Sequence, residues 1–385
     1  MNSPFIRVQH DWYKTKSGEK FWVNVITEDG SVYGSATVLG DQILSTPEAM
    51  RCAEVGGDGG LRSLKVSYKT THSALEWTVL SPSRRLRNME NRRMHFVDVS
   101  SDGSLRIQSH DDGYVGVFRE KEQRAIRELT GAHAGTVYVS KFFPSGKVAL
   151  TAGMDTKIRI WDLVNFDDEQ DKECAATLCK QHTQAILSVD ILGKGRRIAS
   201  GSRDGTAIVW DIPTQKSAVR LEPDAGAVNW VSWLSSNPNS HSDSAIIALS
   251  CESQSVCLFD VNGGKKKIVS MRTDDAANVC TGLDDHLLAV GTHSGQVLTW
   301  DLRHLDSPIS TFRASKGPVT AVSPCSDQKL AVATHDAVSV HSPTASPSTF
   351  ATLLSCSQYP TYTVSTHQNV IYTGGLDGVL YVFVY

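Results

Sequence analysis

The 385-residue chain contains no run of eighteen apolar residues, so no segment reads as a membrane-spanning helix. Its first residues, MNSPFIRVQHDWYK, lack the apolar stretch of a secretory signal. Charge of one sign is also missing. Lys and Arg number 38 against 41 Asp and Glu, a formal net charge of −3, and this is no global footprint for nucleic acid or an anionic membrane surface. Eight cysteines include no C-x-x-C pair, and several sit in apolar runs such as "IIALSC" and "VCLFDV", where a free thiol packs as a small hydrophobe. Taken together these absences point to a reducing compartment, cytoplasmic or nuclear. Zinc-protease, P-loop and dinucleotide fingerprints do not occur. No catalytic residue, metal site or cofactor is expected.

Long helical periodicity is absent too. In its place the chain repeats itself. "TAGMDTKIRIWDL" at 151–163 returns as "SGSRDGTAIVWDI" at 200–212. The slot held by Trp161 and Trp210 recurs as Phe118, Phe259, Trp300, His341 and Phe383, at intervals of 41 to 49 residues. Between these slots lie short Val-, Ile-, Leu- and Thr-rich runs separated by Gly, Asp, Asn and Ser, the pattern of short antiparallel strands. A period near 40–45 residues with four strands per unit predicts radial blades.

Two units carry a fuller pattern: His133, Thr151, Asp155 and Trp161, then His182, Ser200, Asp204 and Trp210. Ser, His and Asp together raise the question of a nucleophilic triad. No G-x-S-x-G elbow accompanies them. A buried indole N–H and a buried imidazole each need a partner, and one chain of four groups satisfies all of them. These residues match the WD-repeat family pattern, in which the Asp bonds the His, the His bonds the hydroxyl and the hydroxyl bonds the indole. The resemblance implies an all-β, seven-bladed WD-repeat β-propeller. Other units are degenerate: Glu90 stands in the His slot of the first, and Ser253 and Ser294 replace the Asp in two later ones. The expected organisation is a small β-rich extension over 1–74 and a propeller over 75–385. Because the sequence stops at Tyr385, directly after its last Trp-slot strand, a strand from about 75–88 is expected to complete the last blade. The polar stretch 235–244 reads as an insertion, and the basic run 84–93 as solvated charge.

A closer resemblance follows from longer stretches. "VYVSKFFPSGKVALTAGMDTKIRIWD", "GRRIASGSRDGTAIVWD", "NVCTGLDDHLLAVGTHSGQVLTWDLR" and "TYTVSTHQNVIYTGGLDGVLYVF" are similar, in order and spacing, to the proteasomal ATPase-associated factor family. That resemblance implies a non-enzymatic assembly chaperone of the 26S proteasome 19S regulatory particle. It implies one partner, the C-terminal domain of an AAA-ATPase subunit of the 19S base, bound by a chain that is monomeric on its own. In a propeller the face carrying the tight turns is the docking surface. Residues just before those turns include Asp111, Met154, Arg203, Glu252, His293 and Leu376; those at the starts of inner strands include Tyr138, Asn229, Trp230, Asn278 and Tyr362. Asp224, Asp274 and Asp275 add acidic charge nearby. The alternatives are a WD-repeat substrate receptor of a cullin-type ubiquitin ligase, for which W-D-x-R at 300–303, ending in Arg303, is the short box, or a generic WD-repeat scaffold.

Overall fold

The computed structural model describes residues 4–27, 30–39, 42–56, 62–70, 74–87, 92–129, 131–164, 174–179, 181–235, 245–262, 266–343, 352–354 and 359–385. Of the expected insertion 235–244, all but the first residue lies outside them, as does Glu90. The described structure is all-β apart from two short 3-10 turns, and no described helix is long and apolar enough to cross a membrane.

A four-stranded antiparallel sheet recurs along the chain. Unit 1 has Met94–Val99, Leu105–His110, Val115–Arg119 and Ala125–Glu128. Unit 2 has Val137–Phe142, Val148–Gly153, Ile158–Asp162 and Ala176–Leu178; unit 3 has Ile186–Leu192, Arg197–Ser202, Ala207–Asp211 and Lys216–Leu221. Units 4, 5 and 6 begin at Val228–Ser235, Ala277–Gly282 and Val319–Pro324 and repeat the meander. Unit 7 supplies Thr361–His367, Val370–Gly375 and Val379–Val384.

Sequence texture follows position in the sheet. Second strands such as "VALTAG" are almost wholly buried, covered on both faces by neighbouring sheets. The outermost "KSAVRL" alternates exposed and covered residues, as one wetted face requires. Each first strand packs against the first strand of the next unit, and that of unit 7 packs against that of unit 1.

Unit 7 takes its fourth strand from far upstream. Arg84–Arg87 pairs antiparallel with Val379–Val384, with Leu380 opposite Leu86. The segment expected to run as one strand over 75–88 is in fact two. Ala74–Leu80 pairs with Arg62–Lys69 and, in parallel, with Thr352–Leu354 of unit 6. The break falls at Ser81-Pro82-Ser83, because Pro82 has no N–H to continue a ladder, and Ser83 donates its hydroxyl to the Val382 carbonyl at 2.7 Å. Before these strands, Phe5–Val8, Lys20–Thr27, Gly30–Leu39 and Gln42–Thr46 form a sheet of their own. It buries Trp12, Phe21, Val23 and Val25 against Leu64, Val66, Trp77 and Val79 of the second N-terminal layer. That layer covers the outer edge of unit 6, which removes an unpaired strand edge from solvent.

Candidate functional site

The two Ser/Thr-His-Asp sets are knit into the sheets. In unit 2 the Trp161 indole donates to Thr151 Oγ1 at 2.9 Å, His133 Nε2 lies 2.8 Å from the same oxygen, and His133 Nδ1 lies 2.7 Å from Asp155 Oδ1. Unit 3 repeats this with Trp210 to Ser200 Oγ at 2.9 Å, His182 Nε2 to Ser200 at 2.8 Å and Nδ1 to Asp204 at 3.0 Å. A neutral imidazole carrying its proton on Nδ1 satisfies every group: it donates to the Asp and accepts from the hydroxyl, which accepts from the indole. Burial holds the pKa of His182 below the usual histidine value, against the pull of Asp204. Burial alone would raise Asp204, but Thr206, the Thr183 N–H and His182 outweigh it and hold the carboxyl at about 2. Asp155 also sits at about 2, where His133 and Arg159 overcome its burial. Thr151 and Ser200 are fully buried, so neither hydroxyl is open to a substrate. The residue after the turn Asp is left-handed in both units, Gly205 at φ 83° and Thr156 at φ 64°, a conformation that glycine adopts without steric cost.

Units 5 and 6 make the same loop-to-turn strap from other residues. In unit 5 the Ser294 hydroxyl donates to Asp274 at 3.0 Å. In unit 6, Asp336 accepts from the Ser315 hydroxyl at 2.8 Å and the Gly317 N–H at 3.0 Å, and it also pairs with Arg7 of the first N-terminal strand at 2.7 Å. Sequence spacing does not show these straps: in unit 5 the carboxylate has moved to the loop and a hydroxyl holds the turn, and in unit 6 a serine stands on the loop side where units 2 and 3 have histidine.

The first strands surround a cavity of about 710 Å³. The second residue of each lines it: His95, Tyr138, Leu187, Asn229, Asn278, Thr320 and Tyr362, in unit order. Three of these tie one unit to the next. Asn229 donates to the Ala277 carbonyl at 3.0 Å, Asn278 to Val319 at 2.9 Å and Thr320 to Thr361 at 2.7 Å. The opposite side of the mouth is a continuous aromatic arc. His95 stacks on Tyr362 with centroids 5.3 Å apart, Tyr138 meets His95 edge-on at 5.6 Å, and His335 meets Tyr362 edge-on at 6.1 Å. Neither tyrosine hydroxyl has a hydrogen-bond partner among the described residues.

One residue further along, Phe96 of unit 1 and Trp230 of unit 4 stack with centroids 6.3 Å apart. They come from sheets that are not neighbours, so their rings meet across the channel and divide it. Beyond them, two residues down the strands, lie Asp98, Lys141 and Asp190. Lys141 Nζ donates to Asp190 Oδ1 at 2.8 Å, while Asp98 and Asp190 accept the backbone N–H groups of Phe142 and Trp233 at 2.9 Å each. Burial pushes the Asp98 carboxyl up, against the backbone N–H it accepts. Burial would lower Lys141, but Asp190 outweighs it and raises its pKa.

The structure therefore brings together seven of the residues singled out from sequence: Tyr138, Arg203, Asn229, Trp230, Asn278, His293 and Tyr362 all line the cavity. The two asparagines spend their amides on the ring. Asp224, Glu252, Asp274 and Asp275 do not line it. Asp224 is exposed at a turn with φ 55°. Glu252 accepts the Ala227 N–H at 3.4 Å, and Asp275 caps the Ala276 N–H at 2.8 Å. Arg303 folds its guanidinium onto Asp301, Nη2 to Oδ2 2.6 Å. His95 and Phe96 were not expected, since unit 1 has Glu90 where the pattern has histidine, and no repeat spacing marks His335 or the pairing of Phe96 with Trp230.

Residues 124–162 and 172–211 match the family model described as WD domain, G-beta repeat. The chain is 26% identical over 226 residues to a CCR4-associated factor 4 homolog of Candida glabrata, covering 57% of this chain and 33% of that protein. It is 23% identical over 241 residues to WD repeat-containing protein 37 of Pongo abelii, covering 53% and 47%. It is 24% identical over 245 residues to the angio-associated migratory cell protein of Homo sapiens, covering 60% and 52%. The chain spans about a third to a half of the length of these relatives. The WD-repeat resemblance is thus supported by the family model and by relatives. The finer resemblance to the proteasomal factor rests on the sequence stretches alone.

Proposed function

We propose that this WD-repeat chain closes into a seven-bladed propeller and works without catalysis, holding the C-terminal domain of a proteasomal ATPase subunit while the 19S regulatory particle assembles. The observation that carries the docking reading is the aromatic arc His335–Tyr362–His95–Tyr138 at the mouth of the channel. Its rings are held by their neighbours, so little side-chain freedom is lost when a partner covers them. Tyrosines in such a position are where binding energy concentrates. Closure is supported by the succession of first-strand contacts and by the Arg84–Arg87 strand on unit 7.

The identity of the partner comes from the resemblance of the FFPSG and GMD stretches and their order to the proteasomal family. Glu252, Asp274, Asp275 and Asp224 add negative charge outside the arc, which would speed the approach of a basic helical surface. Such a partner places the protein in cytoplasm and nucleus. The test is affinity purification from a reducing lysate with mass spectrometry. Regulatory-particle ATPase subunits should be recovered. Recovery of a cullin-ligase adaptor in their place would replace this reading with that of a substrate receptor.

A further inference from the structure

The mouth of the channel also holds a cation with no side-chain partner among the described residues. Arg203 is exposed on the turn of unit 3 and lines the cavity. Its backbone N–H bonds the Ala185 carbonyl, but its guanidinium makes no hydrogen bond or ion pair among the described residues. The other cations nearby are engaged: Lys141 with Asp190, Arg159 with Asp155, Arg7 with Asp336, and Arg93 with Asp111 at 3.7 Å. The cavity's own carboxylates, Asp98 and Asp190, lie on the far side of the Phe96–Trp230 pair. Glu252, on the adjoining unit, forms no ion pair with Arg203. A ring-walled vestibule with one open guanidinium, and no carboxylate paired to it among the described residues, is suited to a negative group. Its walls also strengthen any charge pair formed there, because rings displace water.

We propose that this vestibule seats a carboxylate side chain of the docked protein, held by the Arg203 guanidinium within the aromatic arc. This deepens the reading of the channel mouth as the docking site and rests on it. A carboxylate fits better than a phosphate. A phosphate near its dianionic state is met by clusters of permanent cations, and Arg203 is the only permanent cation open to the upper vestibule among the described residues. Its company at the rim is His293 and His335, and burial lowers the pKa of His335.

The test uses the full chain and three blocked dipeptides as probes: acetyl-Asp-Tyr-amide, acetyl-Asn-Tyr-amide and acetyl-phosphoSer-Tyr-amide. The readout is the indole N–H resonance of Trp230, assigned with Trp230→Phe. The aspartyl peptide should reach its midpoint at about tenfold lower concentration than the asparaginyl one, the worth of a charge-assisted bidentate pair. Arg203→Gln should erase that difference, and Arg203→Lys should keep part of it. Because the Arg203 side chain is exposed and makes no bond to another described residue, both variants should fold, and an unchanged melting curve checks this. Equal midpoints for the aspartyl and asparaginyl peptides would overturn the proposal. So would a preference that survives Arg203→Gln, tighter binding of the phosphoserine peptide, or no shift at the aspartyl peptide's solubility limit. These outcomes do not depend on the ATPase partner, so failure of the partner reading is read separately.

Discussion

Thr151→Val is the sharpest test of what holds the blades. The substitution keeps the shape of a fully buried side chain and removes one oxygen. That oxygen is the shared partner of the Trp161 indole at 2.9 Å and of His133 Nε2 at 2.8 Å. Both are buried, so two polar groups lose their only bond on that side. At about 1–3 kcal/mol for each orphaned group, and allowing for the small gain of a buried methyl, the cost should be about 3 kcal/mol. If the ring melts as one unit, that lowers Tm by about 5 °C. The assay is thermal unfolding of wild type, Thr151→Val, Trp161→Phe and the double variant. Trp161→Phe removes the indole donor beforehand, so Thr151→Val should cost about 1 kcal/mol less in that background. A loss under about 1 kcal/mol for Thr151→Val, or strict additivity in the double variant, would refute the network as the source of stability.

Acid should loosen the fold in two stages. Burial brings His110 to about 4 and depresses His182, so the stability they carry is complete above an unfolded value near pH 6.5 and is lost as pH falls toward 4. Asp155 and Asp204, held at about 2, add a second loss below about pH 4; His110→Phe should flatten only the first stage in melts recorded across pH. Leu86→Ala, at a 5% exposed position packed on Val97, Tyr372 and Leu380, should cost about 3 kcal/mol. Exposed Arg87→Ala beside it should cost under about 0.5 kcal/mol, and urea unfolding would separate the two. Asn229→Ala and Asn278→Ala should each lower stability by about 1 kcal/mol and leave partner affinity unchanged in the same titrations that report Tyr362→Ala.

The residues that repeat were the legible ones. His133, Thr151, Asp155 and Trp161 stand at spacings repeated by His182, Ser200, Asp204 and Trp210, and a hydrogen-bonded chain of four groups tolerates no other spacing. Tyr138 and Tyr362 were also within reach, since the start of each inner strand can be counted from the Trp slot. His95 was not, because unit 1 offers Glu90 where the pattern has histidine. The Phe96–Trp230 pair lay beyond any local pattern: nothing near either residue says that their strands face each other across a channel. The straps Ser294–Asp274 and Ser315–Asp336 escaped for a chemical reason. A hydrogen bond needs a donor and an acceptor but not a given residue type at either end. The split of 75–88 at Pro82 was readable in principle, since a proline inside a strand run marks a break.

The central claim is that the aromatic mouth of the channel is where the partner docks. Calorimetric titration of purified proteasomal ATPase C-terminal domains against wild type and Tyr362→Ala tests it most directly. The prediction is that one subunit's domain binds wild type, and that Tyr362→Ala weakens it by about 2 kcal/mol or more with the melting curve unchanged. If no domain binds, or if the domain that binds does so equally well to Tyr362→Ala, the claim is contradicted.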